Sequence, residues 1–141
     1  MITRAGVRFA TWATPTGAAG VATGVALPWA RSGRRWLSGY DLAGVARTFG
    51  FAGSAPMRVG VTAWLALPLV ASTSVALALL GRTRWALLPG GLVALAGFGV
   101  GVWIVKSAQG SSYPGVLLTI VSSVLGLAGV IAGVARTSGR T

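Results

Sequence analysis

The sequence predicts an all-α integral membrane protein: an antiparallel four-helix transmembrane bundle with a short extramembrane hairpin and helix after its first span. Two observations carry this. Residues 59–80, 85–105 and 114–134 are predominantly apolar runs without one ionisable residue, and a fourth run, 9–29, is less oily but equally uncharged. At about 1.5 Å rise per residue, each reaches the roughly 30 Å of a hydrocarbon core. The second observation is balance: 54% of the 141 residues are hydrophobic and 9% charged, too little polar surface for a fold bathed in water. The chain reads as one membrane domain, 1–141, with an outer segment at about 30–58.

The first span follows a short basic start containing Arg4 and Arg8, an arrangement that imitates a secretory signal peptide. Thr11, Thr14, Thr16 and Thr23, with three glycines, dilute the oily block such a signal needs, so the expectation is a retained helix. Pro15 would make the helix too short if it began there. The helix is therefore expected to start earlier and bend at the proline.

In the outer segment, Trp29-Ala30-Arg31 and Arg34-Arg35-Trp36 flank Ser32-Gly33, which reads as the two-residue turn of a short hairpin. That register sets Arg31 opposite Arg34, at some electrostatic cost. Next, Ser38-Gly39-Tyr40-Asp41 has the S-x-x-D form of a capping box. Leu42, Val45 and Phe49 share one helical face, and Gly50 can end that helix. Asp41 is expected to start the helix beside a nearby arginine, not to act as a catalyst.

The second span begins near Pro56, whose missing N–H is harmless in a first turn, and contains Pro68, which leaves the Trp64 carbonyl without its helical donor and predicts a kink. A turn at 81–84 makes the second and third spans a tight hairpin. The loop 106–113 leads to Pro114 and the fourth span, with a tail from Arg136. The positive-inside count ties: Arg4, Arg8, Arg82, Arg84, Arg136 and Arg140 on one side face Arg31, Arg34, Arg35, Arg47, Arg58 and Lys106 on the other. Because Arg4, Arg8, Arg82 and Arg84 lie on short segments pinned to the membrane, both termini are expected in the cytoplasm.

Three spans carry small residues on one face at spacings of four, three and four: Ala13, Gly17, Gly20 and Gly24; Gly90, Ala94, Gly97 and Gly101; Ser122, Gly126, Gly129 and Gly133. Helices associate in lipid through such close-contact faces. Whether they meet sister helices or another subunit stays open at this point. The hydroxyls at depth, Ser72, Thr73, Ser74, Ser122 and Ser123, are expected to bond back to carbonyls one turn earlier or to join two helices.

The net charge of +11 comes from eleven Arg and one Lys against Asp41 alone. Every cation lies between or beyond apolar runs, so the counterpart is anionic lipid head groups or an acidic protein face, not nucleic acid. The bias to Arg, Ala, Gly and Val points to a GC-rich bacterial genome, and the apolar spans are expected in the bacterial inner (plasma) membrane. Trp29, Arg31, Arg34, Arg35 and Trp36 form a basic and aromatic patch, which serves either as interfacial anchoring or as a docking site for an anionic lipid or acidic subunit.

With no His, Cys or Glu and a single Asp, side chains cannot assemble a metal site, a catalytic dyad or triad, or a pair of carboxylates. The expectation is no enzyme, no catalytic residue and no cofactor. Proton-coupled export normally titrates a carboxylate or His inside the membrane, and none is present in the spans.

The runs Ala26-Leu27-Pro28-Trp29, Arg31-Ser32-Gly33 and Ser38-Gly39-Tyr40-Asp41-Leu42, on a four-span layout, resemble a pattern in small actinobacterial four-helix membrane proteins. The architecture is also similar to claudin-like tetraspans, without their paired loop cysteines. Within the actinobacterial group the chain resembles the small accessory subunits of mycobacterial MCE lipid importers. That resemblance implies a role and identifies no site residue: a non-catalytic accessory subunit whose partners are a larger integral membrane complex and membrane lipids. The alternatives are a small subunit of a respiratory supercomplex and an independent oligomeric lipid-binding or transport protein.

Overall fold

The computed structural model describes residues 4–50, 53–107 and 113–138; Arg140 and residues 108–112 of the expected loop lie outside them. In chain order the elements are α1 Arg4–Ala26, β1 Pro28–Ser32, β2 Arg35–Ser38, α2 Gly39–Thr48, α3 Ala55–Leu79, α4 Thr83–Ser107 and α5 Pro114–Ser138. Three helices are long and apolar enough to cross a membrane: Met57–Leu79, Thr83–Lys106 and Pro114–Ala135. The fourth long helix, α1, is less apolar, starts earlier than residue 9, and runs on through Pro15. It ends at Ala26, so Trp29 belongs to a strand and not to the first span.

α1 and α4 each touch all the other long helices, while α3 and α5 occupy the far corners; the most extensive interface joins α1 to α5. Small residues explain this intimacy. A Cβ placed on Gly17 would lie 2.5 Å from the Gly126 nitrogen, and one on Gly24 would lie 3.1 Å from the Gly115 carbonyl oxygen, so the two backbones are in direct contact. Thr14 meets Gly129 while Gly24 meets Gly115, which makes the pair antiparallel and sets α1 level with most of α5.

Ala18, Val21, Val25, Trp29, Leu67, Ala71, Val93 and Val116 form the core. The outward faces are Leu, Val and Ile, as a surface solvated by lipid requires: Leu69, Leu80, Leu92, Val121 and Ile131 are all exposed.

The turn between α3 and α4 is shorter than the expected 81–84. Leu80 caps α3 after Leu79, Gly81 takes φ +74°, and Thr83 already begins α4. The Gly81 and Arg82 amides donate to the Ala78 and Leu77 carbonyls at 3.1 and 2.9 Å, the Schellman closure that uses left-over helix acceptors. Pro68 and Pro89 both sit inside helices. The hydroxyls divide into two groups. Ser72, Thr73, Thr119 and Ser123 bond back to carbonyls four residues earlier, whereas Ser74 crosses from α3 to the Ala86 carbonyl of α4 at 2.9 Å. No buried side-chain N or O among the described residues lacks a partner.

Candidate functional site

At the end of the bundle where α1 stops and α5 starts, the chain builds a small polar cap. β1 and β2 pair antiparallel with Ser32 opposite Arg35 and Arg31 opposite Trp36, so the turn is Gly33-Arg34 and not the expected Ser32-Gly33. Gly33 has φ +59°, the left-handed conformation that primed hairpin turns demand at this first central position. The shift by one residue changes the partner of Arg31 from a like charge to an aromatic ring. Its guanidinium lies over the Trp36 ring, 5.3 Å from the centroid, and its Nε donates to the Gly33 carbonyl at 3.0 Å. A desolvated cation–π pair contributes up to about 2 kcal/mol and an exposed one less than about 1 kcal/mol; the present pair is of the exposed kind.

Trp36, 53% exposed, sets its ring edge against Tyr113 at the start of α5, with centroids 6.3 Å apart and planes at 80°. The loop-to-helix junction and the hairpin tip thus form one surface. Arg34 and Arg35 are exposed at its margin.

The register slips between Pro28 and Ala30, and the residue at the slip is Trp29. That irregularity turns its side chain into the bundle. It is only 2% exposed, so it is not part of the exposed patch in which the sequence places it. Its indole Nε1 donates at 2.8 Å to the Gly24 carbonyl, an acceptor at the end of α1 that also takes the Leu27 amide at 3.2 Å because its usual donor position is Pro28. The ring packs edge-on against Trp64 at 5.4 Å and lies over Gly115, where a Cβ would come 2.5 Å from Trp29 Cδ1. Trp29 is the pin that fixes the cap to α1, α3 and α5.

Behind the hairpin, the capping box forms as the sequence predicts. The Ser38 backbone N–H and hydroxyl donate to Asp41 Oδ2 at 2.9 and 2.8 Å, and the Asp41 amide donates to Ser38 Oγ at 3.2 Å. These hydrogen bonds, the backbone one first, and the nearby Arg35 charge hold the Asp41 carboxyl below its ordinary value of 3.8. The sole carboxylate side chain is therefore engaged within its own helix start. A group depressed in this way stabilises the fold above its unfolded-state value, and that stabilisation is lost as pH falls through its folded-state value. Corrected for the intrinsic exchange rate, the protection of the Asp41 amide against hydrogen exchange is accordingly expected to fall several-fold once the pH drops below this range, and Ser38→Ala to cost α2 about 1 kcal/mol at neutral pH; protection insensitive to both changes would contradict the box.

The proposed packing residues all lie inside the bundle. Gly17, Gly20 and Gly24 face Gly126, Ser122 and Thr119; Gly90 and Gly129 close around Thr14; Gly97 meets Ser123 and Val21; Gly101 meets Ile120; and Gly133 meets Leu87. These faces are occupied by sister helices, so they are not open to another subunit.

Sequence reasoning did not assign Tyr113 or the Trp64 ring to the site. Alternating four spans already sets residues 36 and 113 at the same end, which was the available signal for the first. Nothing local announced that Trp29 would turn inward. No group of three His, Cys, Asp or Glu side chains that could hold a metal occurs among the described residues. What the cap offers is guanidinium donors beside indole rings, which suit phosphate or carboxylate groups. Comparison with family models, with curated proteins and with solved structures finds no match.

Proposed function

We propose that this chain is a non-catalytic accessory subunit of a larger integral membrane complex, an MCE-type lipid or fatty-acid importer, and that all four long helices cross the bacterial inner membrane with both termini in the cytoplasm. The observation that carries the accessory reading is the cap. Arg31, Arg34 and Trp36 are exposed on a hairpin pinned by Trp29, and the chain's one acidic side chain is already bound to Ser38. Such uncompensated, prearranged charge calls for an acidic surface on a partner, where complementarity sets specificity and speeds association. α1 counts as a span because it lies level with α5 from Gly24 beside Gly115 to Thr14 beside Gly129. This packing beside three helices of membrane-spanning length supports α1 as a fourth span. The importer assignment rests on the loop pattern and the four-span layout of the sequence.

A tagged chain purified in mild detergent at native expression should bring down large membrane proteins in stoichiometric amounts, identified by mass spectrometry. Replacing Arg31, Arg34 and Arg35 with Gln should reduce that recovery roughly tenfold or more while leaving the bundle folded, since all three are exposed. Respiratory enzymes in place of importer components would move the chain to a supercomplex.

A second reading, an independent lipid-binding oligomer, draws on one observation: the small-residue faces are spent within the chain, so the bundle needs no partner for its packing. Under that reading the chain purifies with its own copies and lipid alone.

A further inference from the structure

A second basic feature lies on the flank of the bundle, where the end of α2 meets the beginning of α3. Arg47 in the last turn of α2 and Arg58 in the first turns of α3 border a cleft of about 180 Å³ whose other walls are Val61, Thr62 and Leu65. Its size selects a class of occupant. It is several times the roughly 30 Å³ of a water and well short of the roughly 300–1,000 Å³ that encloses a drug-sized molecule, so it admits a head-group phosphate but does not enclose a whole lipid.

Charge selects further. Two guanidinium groups share the cleft, no acidic side chain lines it, and the only one in the chain, Asp41, is engaged at the opposite end of α2. Below the arginines, Val61, Leu65 and Leu69 follow at intervals of four along α3 and so lie in one row down its side; Leu65 and Leu69 are exposed, Leu69 at 74%. From the end of the membrane-length segment Met57–Leu79 inward the lining begins with a cation, passes Val61 and the Thr62 hydroxyl within one turn, and continues as the apolar Leu65 and Leu69. An amphiphile with a negative head has that same order.

We propose that the cleft between α2 and α3 binds the phosphate of an anionic phospholipid through Arg47 and Arg58, with one acyl chain laid along Val61, Leu65 and Leu69. The forked donors of two arginines suit a phosphate diester, and the acyl row commits the site to lipid over soluble phosphate. The site stands whether the chain acts within a larger complex or alone.

The full chain in detergent, analysed by native mass spectrometry against equimolar phosphatidylglycerol and phosphatidylcholine, tests this. The wild type should retain phosphatidylglycerol preferentially. R47Q/R58Q should lose that preference by roughly thirtyfold, R47K/R58K should restore part of it, and R82Q/R84Q at the α3–α4 turn should leave it intact. Circular dichroism of each variant separates loss of binding from loss of fold. Excess inorganic phosphate should not displace the lipid. Equal retention of the two lipids, displacement by inorganic phosphate, or a preference that survives R47Q/R58Q and vanishes in R31Q/R34Q/R35Q would each overturn the proposal.

Discussion

Gly17→Ala is expected to destabilise the bundle by about 1–3 kcal/mol, although alanine by itself favours a helix over glycine by about 1 kcal/mol. The sign is decided by what the new methyl meets. Its neighbours would be the Gly126 nitrogen and Cα at 2.5 and 2.6 Å and the Ser122 carbonyl oxygen at 2.6 Å, all backbone atoms of α5. A backbone in a helix cannot move aside as a side chain can, so α1 and α5 must separate and give up contacts along their length. Gly97→Leu and Gly101→Leu meet side chains of Ser123, Val21 and Ile120, which can partly repack, and the cost per added atom is correspondingly smaller. Gly99→Ala is the control: nothing lies within 4 Å of its Cβ, so stability should hold or rise slightly. Reversible unfolding in mixed micelles, followed by circular dichroism, measures all of these. Equal stability of Gly17→Ala and Gly99→Ala would refute the α1–α5 seam.

Trp29→Ala should be the most damaging single change in the outer segment, costing about 3–5 kcal/mol for a buried indole. Three losses coincide there: the ring contact with Trp64, the cover over Gly115 and the hydrogen bond to the Gly24 carbonyl at the end of α1. Trp29→Phe keeps most of the apolar area and forfeits the hydrogen bond, so it should cost nearer 1–2 kcal/mol, an order-of-magnitude figure from the value of one buried bond. The consequence reaches the cap, because Arg31 and Trp36 are positioned by the strand that Trp29 anchors. Limited proteolysis between residues 30 and 38 should accelerate in Trp29→Ala and remain slow in Trp36→Ala, whose ring is half exposed. The reverse order would show that the outer ring, not the inner one, holds the hairpin.

These two residues also mark how far the sequence could be read. The small-residue faces were legible because spacings of four, three and four project onto one side of a helix whatever surrounds it. Their partners were not, since direction around the helix axis depends on where the other helices stand, and only the assembled bundle points Gly17 at Gly126. The capping box was legible because its chemistry is confined to four consecutive residues. The hairpin was legible as a hairpin but not in register: both Ser32-Gly33 and Gly33-Arg34 supply a glycine for the turn, and a slip of one residue exchanges the two faces of the strands. The irregularity at Trp29 settles the matter by burying a large ring that the end of α1 needs. The cleft at Arg47 and Arg58 lay beyond a linear reading, because ten residues separate two cations that only the packing of α2 on α3 brings together.

The division of labour that results is simple. Close glycine contacts and hydroxyl hydrogen bonds join the four long helices, and exposed arginines stand on the hairpin cap, on the α2–α3 flank and at the α3–α4 turn. Placing a photoreactive amino acid at position 36 and irradiating living cells tests the accessory role most directly, with position 85 at the other end as comparison. Crosslinking from position 36, and not from 85, to a larger integral membrane protein is the expected result. Crosslinks from position 36 to lipid or to copies of the chain alone would contradict it.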